Sequence, residues 1–279
     1  MAAPHVVWSV LFILAPLAFV FYYAFTDKTG AFTLNNVKEL GSANYLDIFT
    51  RSLCFALAAT ATCLLVAYPL AYAISRAKPR SQKICIMLTM LPMWMNFLLR
   101  TYSWMAILEN NGLLNQLFRK IGLIALYNNI FGTDISFFRM INTQGAVVLG
   151  MVYNYLPFMI LPIYSVIVKL DHSLIEAARD LGANSVQVFR RVILPLSLPG
   201  VLSGITMVFV PSVSTFAISK MLGGGTEMLL GDLIEQQYMG GAYNPYLGAA
   251  ISLVMMVIVV ICMVVMNRFG EGEEQAVMM

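Results

Sequence analysis

Charged residues are scarce in this sequence. Only 11% of its 279 residues are Asp, Glu, Lys or Arg, whereas 59% are apolar, and the mean hydropathy is +0.78. Soluble domains average about 25% charged residues, so most of this chain is predicted to face lipid instead of water. This composition excludes a soluble enzyme, a nucleic-acid-binding protein and a disordered chain.

Motifs for catalysis, nucleotide binding and metal binding are also missing. The sequence has no GxxxxGK[ST] loop for phosphates, no HExxH pair, and two histidines that lie far apart, His5 and His172. The four cysteines fall inside apolar runs without a CxxC pair, so neither a disulfide framework nor a zinc site is expected. We therefore expect no catalytic residue, no metal site and no cofactor bound by this chain.

Six apolar stretches are long enough to cross a membrane as helices, which takes about 20 residues each. They lie near residues 6–25, 52–75, 84–108, 145–168, 196–218 and 246–267. The first stretch has no preceding Lys or Arg and no clear cleavage site, so it is interpreted as a retained helix and not as a signal peptide. The predicted fold is all-α: a polytopic membrane protein with six transmembrane helices that form a single domain over residues 1–279.

Basic residues suggest how the chain is oriented. Four cations fall within eight residues, from Arg76 to Lys83, and short loops rich in Lys and Arg stay in the cytoplasm. With this loop inside, both termini are predicted to be cytoplasmic. The other cations then inside are Lys169, Arg179, Arg190, Arg191 and Arg268.

The loop between the fourth and fifth predicted spans carries helix signals. Ser173 and Glu176 have the spacing of a capping box, which predicts a helix start at Ser173. Gly182 suits the left-handed residue that ends such a helix, and Asn184 or Ser185 is predicted to cap a second short helix that runs through Phe189.

The first of these helices has a small apolar face. Leu174, Ala178 and Leu181 recur at i, i+4 and i+7, but two turns of helix are not stable alone in water. The helix therefore needs a partner surface. A position at the lipid interface is the alternative, although the small residues Ala177 and Ala178 favour close contact with a protein.

The spacing within this loop resembles a known family. Glu176-Ala177-Ala178, three residues, Gly182, nine residues and then Val192-Ile193-Leu194-Pro195 match the EAA loop of permease subunits of type I ABC importers, with Val192 in place of the usual Ile. The resemblance extends to Tyr153–Pro162 (YNYLPFMILP), Lys169-Leu170-Asp171 and Met221-Leu222-Gly223-Gly224, which look like the B-type permeases of spermidine/putrescine importers.

The resemblance implies a MetI-like permease fold and a set of partners. It implies that the loop is a coupling helix seated in a partner ATPase dimer, which binds ATP and Mg. It also implies a second, homologous permease that forms a heterodimer with this chain, and an extracytoplasmic solute-binding protein. The residues implied to couple to the ATPase are Glu176, Ala177, Ala178, Asp180, Leu181, Gly182 and Phe189.

Arg100 is the ionisable residue inside the third predicted span, and such residues are functional candidates because they are costly in lipid. Asn96, Arg100 and Trp104 recur every four residues, which predicts a polar stripe that faces protein or water. Because a cation is a poor wall for a polyamine path, Arg100 and Asn96 are assigned a gating or structural role. Arg100 is expected to pair with a carboxylate or with carbonyls freed at Pro92.

A polyamine is a flexible polycation with an apolar stem, so its path needs carboxylates for the ammonium groups and aromatic faces for cation–π contact. The substrate-path candidates are Trp104, Glu109, Tyr153, Asn154 and Asp232. The alternative for the two acids is that they hold the binding protein or cap a helix.

The function predicted is translocation of spermidine or putrescine across the cytoplasmic membrane of a prokaryote, by alternating access that the partner ATPase drives. A permease for another small solute, such as an organic cation or a phosphonate, is the nearest alternative. A self-contained channel or secondary transporter is the alternative from another class, but it would have no use for the capped loop.

Overall fold

The computed structural model describes residues 3–241 and 243–277. Apart from turns and an isolated antiparallel bridge between Thr26 and Phe32, the secondary structure of these residues is helical. The α-helices, in chain order, are α1 Ala3–Ser9, α2 Ala15–Ala24, α3 Asn35–Glu39, α4 Ala43–Ser75, α5 Pro79–Met90, α6 Phe97–Leu108, α7 Leu113–Lys120, α8 Leu123–Phe131, α9 Gln144–Ile167, α10 His172–Asp180, α11 Ser185–Val188, α12 Leu194–Val213, α13 Ala217–Leu222, α14 Leu230–Met239 and α15 Pro245–Val277. The side chains of His5 and Arg268 lie outside the described part of the structure.

Three short segments join some of these helices. Val10–Leu14 and Phe189–Ile193 are π-helical turns, and Leu91–Trp94 is a 3-10 turn. The π-helical turns keep their helices continuous, so α1 runs into α2 and α11 runs into α12. The prediction of an all-α fold is confirmed for the described residues.

Five helical stretches of the described chain are long and apolar enough to span a membrane. They are Val6–Ala24, Ala43–Ser75, Gln144–Ile167, Ser185–Val213 and Pro245–Val265. They correspond to the first, second, fourth, fifth and sixth predicted spans. The number of spans reaches six if the bent pair formed by Pro79–Trp94 and Phe97–Lys120 counts as one.

The third predicted span, residues 84–108, is not a continuous helix. Its two halves meet at an angle of 93°. Pro92 lies in the 3-10 turn that ends α5, and Met95 and Asn96 have ψ values of 150° and 131°, which are outside the helical range. Because the ring of Pro92 removes a backbone donor and Asn96 starts a new helix as its N-cap, the chain turns sharply where the hydropathy pattern predicted a straight rod.

The chain divides into two compact units, each made of separate segments. The first is Met1–Cys54, Val213–Phe216 and Met228–Cys262, and the second is Phe55–Ser212, Ala217–Glu227 and Met263–Met279. In the first unit the ring of Tyr23 meets that of Tyr246 edge to face, and the backbone N–H of Leu230 donates to Ser52 Oγ at 2.8 Å. The single domain over residues 1–279 stays a prediction.

The core of the second unit lies between α4, α9 and α12. Cys63, Ala67 and Ala71 of α4 pack with apolar residues of the other two helices. Small residues at these positions let helices approach closely, as is usual for helices packed in a membrane. Across this core Tyr68 Oη and Ser197 Oγ share a hydrogen bond of 2.7 Å, which links α4 to the start of α12.

Candidate functional site: a capped docking segment and polar groups of the spans

The N-cap of α10 lies two residues before the one that the sequence pattern predicted. This cap is Asp171, whose Oδ1 accepts a hydrogen bond of 2.9 Å from the backbone N–H of Ser173. The predicted capping box of Ser173 and Glu176 is therefore wrong, because Asp171 already occupies the cap position with an extended backbone. The Ser173 backbone donor, followed by a side-chain hydrogen bond from Ser173 and the charge of His172, lowers the pKa of Asp171.

The end of α10 is the one that the sequence predicted. Gly182 has a φ of +82°, a conformation that side chains with a Cβ oppose. Its N–H donates to the carbonyl of Arg179 at 2.8 Å, and the N–H of Ala183 donates to that of Ala178 at 3.0 Å. This pair of bonds is a Schellman motif. The left-handed glycine at the end of the helix is therefore confirmed.

A second cap follows immediately. Asn184 Oδ1 accepts from the N–H of Gln187, and Gln187 Oε1 accepts from the N–H of Asn184, both at 2.9 Å. This reciprocal capping box confirms Asn184 as the predicted cap and starts α11. Because α11 continues through the π-helical turn into α12, the second helix of the loop and the fifth span form one continuous helix, Ser185–Val213.

The outer face of this segment is apolar and exposed. Leu181 is 90% exposed, Val186 is 72% exposed, and Leu174 is also exposed. Glu176, Ala177, Asp180 and Gly182 are exposed as well, whereas Ala178 is half-buried. We call Leu174, Ala177, Leu181 and Val186 the docking patch. Large exposed apolar side chains of this kind are typical of interaction surfaces, so the docking patch is a candidate contact surface.

Phe189 contacts the interior of the protein and does not belong to the exposed docking patch. Its ring contacts the rings of Tyr68 and Tyr72 of α4, with centroids 5.7 and 5.6 Å apart and nearly perpendicular planes. Its neighbours Val188 and Ile193 are buried. Phe189 is therefore a packing link between the loop and the second span within this chain, whereas the resemblance placed it with the residues that couple to the ATPase.

A cavity of about 370 Å³ lies behind α10. Its walls include Tyr72, Arg76, His172 and Ile175. Gln82, which also lines it, donates to the carbonyls of Ser75 and Ala77 and accepts from Tyr164 Oη, so it ties the loop between α4 and α5 to α9. Sequence reasoning missed both Gln82 and the cap at Asp171. The cap could have been predicted, because Asp is a preferred N-cap residue and Asp171 lies two residues before Ser173.

Two of the predicted path residues meet in the structure. The ring of Trp104 in α6 packs edge to face on the ring of Tyr153 in α9, with centroids 5.3 Å apart. The neighbouring Asn154 is buried, and its side-chain amide donates to the carbonyl of Gly150 at 2.8 Å. Its Oδ1 is buried with no hydrogen-bond partner among the described residues. An aromatic pair therefore joins α6 to α9, and the next residue of α9 carries a buried amide acceptor.

Asn96 and Arg100 have different roles from one another. Asn96 is the exposed N-cap of α6, and its Oδ1 accepts from the N–H of Leu98 at 2.9 Å and of Leu99 at 3.4 Å. Arg100 is only 8% exposed, and its Nε and Nη1 are buried without a hydrogen-bond partner in the described part of the chain. The expected pairing of Arg100 with a carboxylate or with carbonyls near Pro92 is therefore not seen there.

The two predicted path acids lie in different environments. Glu109 is exposed and follows the last residue of α6. Asp232 is only 7% exposed, and its Oδ2 accepts a hydrogen bond of 2.9 Å from the N–H of Leu229 at the start of α14. Asp232 therefore caps a helix in the first unit, which was the alternative left open for it, whereas Glu109 belongs to the second unit.

The described residues thus form five or six candidate membrane spans, one of them continued from a capped loop with an exposed apolar face. The family of binding-protein-dependent transport system inner membrane components matches residues 1–271. The chain belongs to this family and is a permease subunit of an ABC importer. The predicted resemblance is thus confirmed.

Curated relatives cover nearly the whole chain. The spermidine/putrescine transport system permease protein PotB of Haemophilus influenzae is 35% identical over 270 residues, which are 95% of this chain and 91% of that protein. PotB of Escherichia coli is also 35% identical, over 94% of this chain and 93% of its own length. The inner membrane ABC transporter permease protein YdcU of Escherichia coli is 30% identical over 89% and 81%.

Solved structures confirm the permease fold. A bacterial alginate ABC transporter in complex with an alginate-pentasaccharide-bound periplasmic protein matches with a TM-score of 0.77 and 16% identity, over 96% of this chain and 91% of that chain. The inward-facing methionine transporter MetNI matches with a TM-score of 0.58 and 17% identity, over 82% and 95%. At these identities the likeness concerns the fold alone.

Proposed function

We propose that this permease translocates spermidine or putrescine, as one half of a heterodimer with a second, homologous permease. A dimer of ATPase subunits, which hold ATP and Mg, drives the transport, and an extracytoplasmic binding protein delivers the polyamine. The observation that carries the proposal is the 35% identity to PotB proteins over 95% of the chain. The chain itself binds no cofactor in this proposal.

The docking patch is the proposed contact with the ATPase. Its caps lie within the segment, at Asp171, Gly182 and Asn184, so α10 can keep its shape while it moves as a rigid body. The unbroken helix Ser185–Val213 then carries that movement into the fifth span. Phe189 transmits it to α4 through its two tyrosine contacts. In this scheme Phe189 does not touch the ATPase but connects the segment to α4. The residues that touch the ATPase are the exposed ones, Glu176, Ala177, Asp180 and Leu181.

The docking patch is tested by co-purification with the ATPase subunits of the importer. Leu181→Asp places a charge in the centre of the patch, and we expect normal insertion with loss of ATPase association and of transport. Leu126→Asp in α8, at another strongly exposed leucine, is the matched control and should keep both. Unchanged association of the Leu181→Asp variant would remove the docking assignment.

Both termini and the segment from Asp171 to Phe189 are proposed to be cytoplasmic, which is supported by the Arg76–Lys83 cluster. Single cysteines at the exposed positions Ser81 and Ser185, in a background without Cys54, Cys63, Cys85 and Cys262, should react with an impermeant maleimide only from the cytoplasmic side. A cysteine at the exposed Ser136 should react only from the other side. The reverse pattern would invert the topology.

The aromatic pair Trp104 and Tyr153, with Asn154 beside it, is the proposed wall for the apolar stem of the polyamine, and Glu109 is the proposed outer carboxylate. The test is uptake in a variant that works without the binding protein, because a role in docking that protein then disappears. We expect Glu109→Gln to lower the uptake of spermidine more than that of putrescine, since spermidine carries more charge. Equal uptake by variant and parent would exclude Glu109 from the path.

Asp232 remains a proposed path residue, and its test separates a role of its charge in the path from its role as a helix cap. An asparagine retains the side-chain oxygen that accepts from Leu229, so Asp232→Asn removes the charge and preserves the cap. If the carboxylate serves the path, this variant transports less at normal expression. If it serves only the cap, Asp232→Asn resembles the parent, whereas Asp232→Ala loses stability by about 1 kcal/mol.

A further inference from the structure

Two short helices of the second unit, α7 and α8, form a hairpin between the third and fourth predicted spans. Only Ile121 and Gly122 separate the two helices, and Gly122 makes the turn with a left-handed φ of +75°. Helix α7 follows α6 after residues 109–112. We call residues 113–131 the α7–α8 hairpin.

Asparagines on both helices hold the non-helical segment 135–138, which follows the hairpin. The amide of Asn115 in α7 donates to the carbonyl of Phe138 at 3.0 Å and accepts from its N–H at 2.9 Å. The amide of Asn128 in α8 makes the same two bonds with the backbone of Ile135, at 3.0 and 3.1 Å. Because each asparagine satisfies both backbone groups of one residue, the polar edge of each helix is fixed toward this segment.

Aromatic rings strengthen the same contact. The ring of Phe138 meets the rings of Phe118 in α7 and Tyr127 in α8 edge to face, with centroids 5.8 and 5.3 Å apart. One side of each helix is thus packed against segment 135–138. The side that remains for contact with the surroundings is therefore set by the fold and is not a free choice of side-chain conformation.

That remaining side is apolar and exposed on both helices. Successive helical residues are about 100° apart around the axis, which places one row of large apolar residues opposite Asn115 on α7 and another opposite Asn128 on α8. All of them are exposed, five by more than half. We call these six residues the hairpin stripe: Leu113, Leu117, Ile121, Leu123, Leu126 and Ile130. The hairpin thus has its polar amides inside and its apolar side chains outside, the reverse of a loop that faces water.

Lipid is the occupant that the position of the hairpin favours. Helix α7 belongs to Phe97–Lys120, the second half of the bent pair that is apolar enough for a membrane, so the hairpin directly continues a membrane segment. Its helices have eight and nine residues and are therefore about 12–14 Å long, less than half of the roughly 30 Å hydrocarbon core. Helices of this length lie at the surface of a bilayer and do not cross it.

The charge of the hairpin supports the same occupant. Lys120 is exposed at the edge of the hairpin stripe, next to Leu113 and Leu117 around the helix axis, and it forms no ion pair within the described part of the chain. The two helices contain no Asp or Glu. A lysine that borders an apolar face can extend its ammonium group to the phosphates of lipid headgroups while its stem stays on the apolar side.

We propose that the hairpin stripe lies in the boundary between lipid headgroups and acyl chains, so that the α7–α8 hairpin is a membrane anchor at the end of the bent span. In the proposed topology this boundary belongs to the outer leaflet. The anchor sets the depth of segment 135–138 and of the end of α6. A single charge near the headgroups costs little, so the Leu126→Asp control keeps its membrane contact.

The first experiment measures what surrounds the hairpin stripe. Single cysteines at Leu117 and Ile130, in the background without native cysteines, carry a nitroxide in the full importer, reconstituted in vesicles of phosphatidylcholine and phosphatidylglycerol. Collisions with oxygen, which concentrates in lipid, are compared with collisions with a water-soluble nickel chelate. We expect the ratio of oxygen to nickel collisions to be at least about five times higher there than at Gln116 and Asn129, exposed positions of the same helices outside the stripe.

The second experiment measures depth at two other positions. A fluorescent label at Leu113 or Ile121 is quenched by lipids that carry a nitroxide near the headgroup or near the end of the acyl chain. Insertion by about 5–10 Å predicts that the shallow nitroxide quenches at least about twofold more strongly. Stronger quenching by the deep nitroxide would overturn the boundary position. Because the labelled positions differ from those of the first experiment, one misfolded variant leaves the proposal testable.

Other occupants give different patterns. Slow collisions with both reagents at Leu117 and Ile130 would show that protein covers the hairpin stripe. A rise in collisions when the binding protein is left out would identify that protein as the cover, and no rise would identify the second permease. Faster collisions with nickel than with oxygen, as at the control positions, would show contact with water. Each of these results overturns the membrane anchor, and none depends on which solute is transported.

Discussion

The loop at residues 171–195 and the bend near residues 91–104 are both short interruptions between helices, but they satisfy their polar groups differently. In the loop the free backbone groups find partners within five residues: Asp171 caps one helix, Gly182 ends it and Asn184 caps the next. At the bend Asn96 caps α6, yet Arg100 is buried without a hydrogen-bond partner for two of its nitrogens within the described residues.

This difference separates a segment that is complete by itself from one that is not. A locally satisfied loop keeps its form when its surroundings change, so it is suited to present the docking patch and to transmit force. A buried guanidinium with unmet donors costs free energy, so the bend is expected to be less stable by itself than the loop. The four predictions below test this contrast, from the largest expected effect to the smallest.

Phe189→Ala should have the largest effect, because it cuts the link between the loop and α4. Loss of a buried phenylalanine costs about 3 kcal/mol or more, and Phe189 is half-buried between two tyrosines, so we expect a loss of about 2–3 kcal/mol. A lower midpoint of thermal unfolding in detergent would show it. Val186→Ala, at an exposed residue of the docking patch, should leave the midpoint unchanged; a similar drop in both variants would contradict the contrast between the two faces.

Arg100→Leu should stabilise the isolated permease, because it removes buried donors, and a buried donor without a hydrogen bond costs about 1–3 kcal/mol. The thermal midpoint should rise in detergent while transport by the assembled importer falls. Arg119→Leu, at an exposed arginine of α7, is the control for charge removal. Destabilisation of the isolated chain by Arg100→Leu would mean that Arg100 is already satisfied.

Gly182→Ala tests the left-handed end of α10. An added Cβ would meet no atom within 4 Å, so the cost is backbone strain alone, about 1 kcal/mol. Association with the ATPase should weaken, and Gly182→Asn should recover most of it because asparagine tolerates this conformation. Gly122→Ala has a similar φ of +75° and equal space but lies outside the loop. It should leave association unchanged, and equal losses at both sites would point to a general stability effect.

The smallest effect concerns the cap at Asp171. The folded-state pKa of Asp171 is below its ordinary value, so its carboxylate supports the helix fully at pH above the unfolded pKa, near 3.9, and loses this support as the pH falls through the folded-state pKa. Hydrogen exchange of the α10 amides from pH 3 to 6 should show this loss. Asp171→Asn keeps an acceptor but does not titrate, so the same acid dependence in that variant would exclude the cap as its cause.

The loop could be predicted closely from the sequence because caps and Schellman motifs form between residues at most five positions apart. Gly182 and Asn184 were located correctly for that reason. The start of α10 was placed at Ser173 because Ser173 and Glu176 have the spacing of a capping box. Asp171 is an equally good N-cap residue. The sequence pattern does not show which of the two side chains accepts the hydrogen bonds of the first turn. The spans followed from hydropathy, which depends on composition over about 20 residues.

What the sequence alone determined is the position of five apolar spans, the left-handed end of α10 and the cap that follows it, since these depend on neighbours along the chain. Only the tertiary structure decided that the third span bends by 93° and that Phe189 faces Tyr68 and Tyr72. Each of these depends on contacts between residues that are far apart in sequence. Periodicity cannot supply that information, because it gives the face of a helix but not its neighbour.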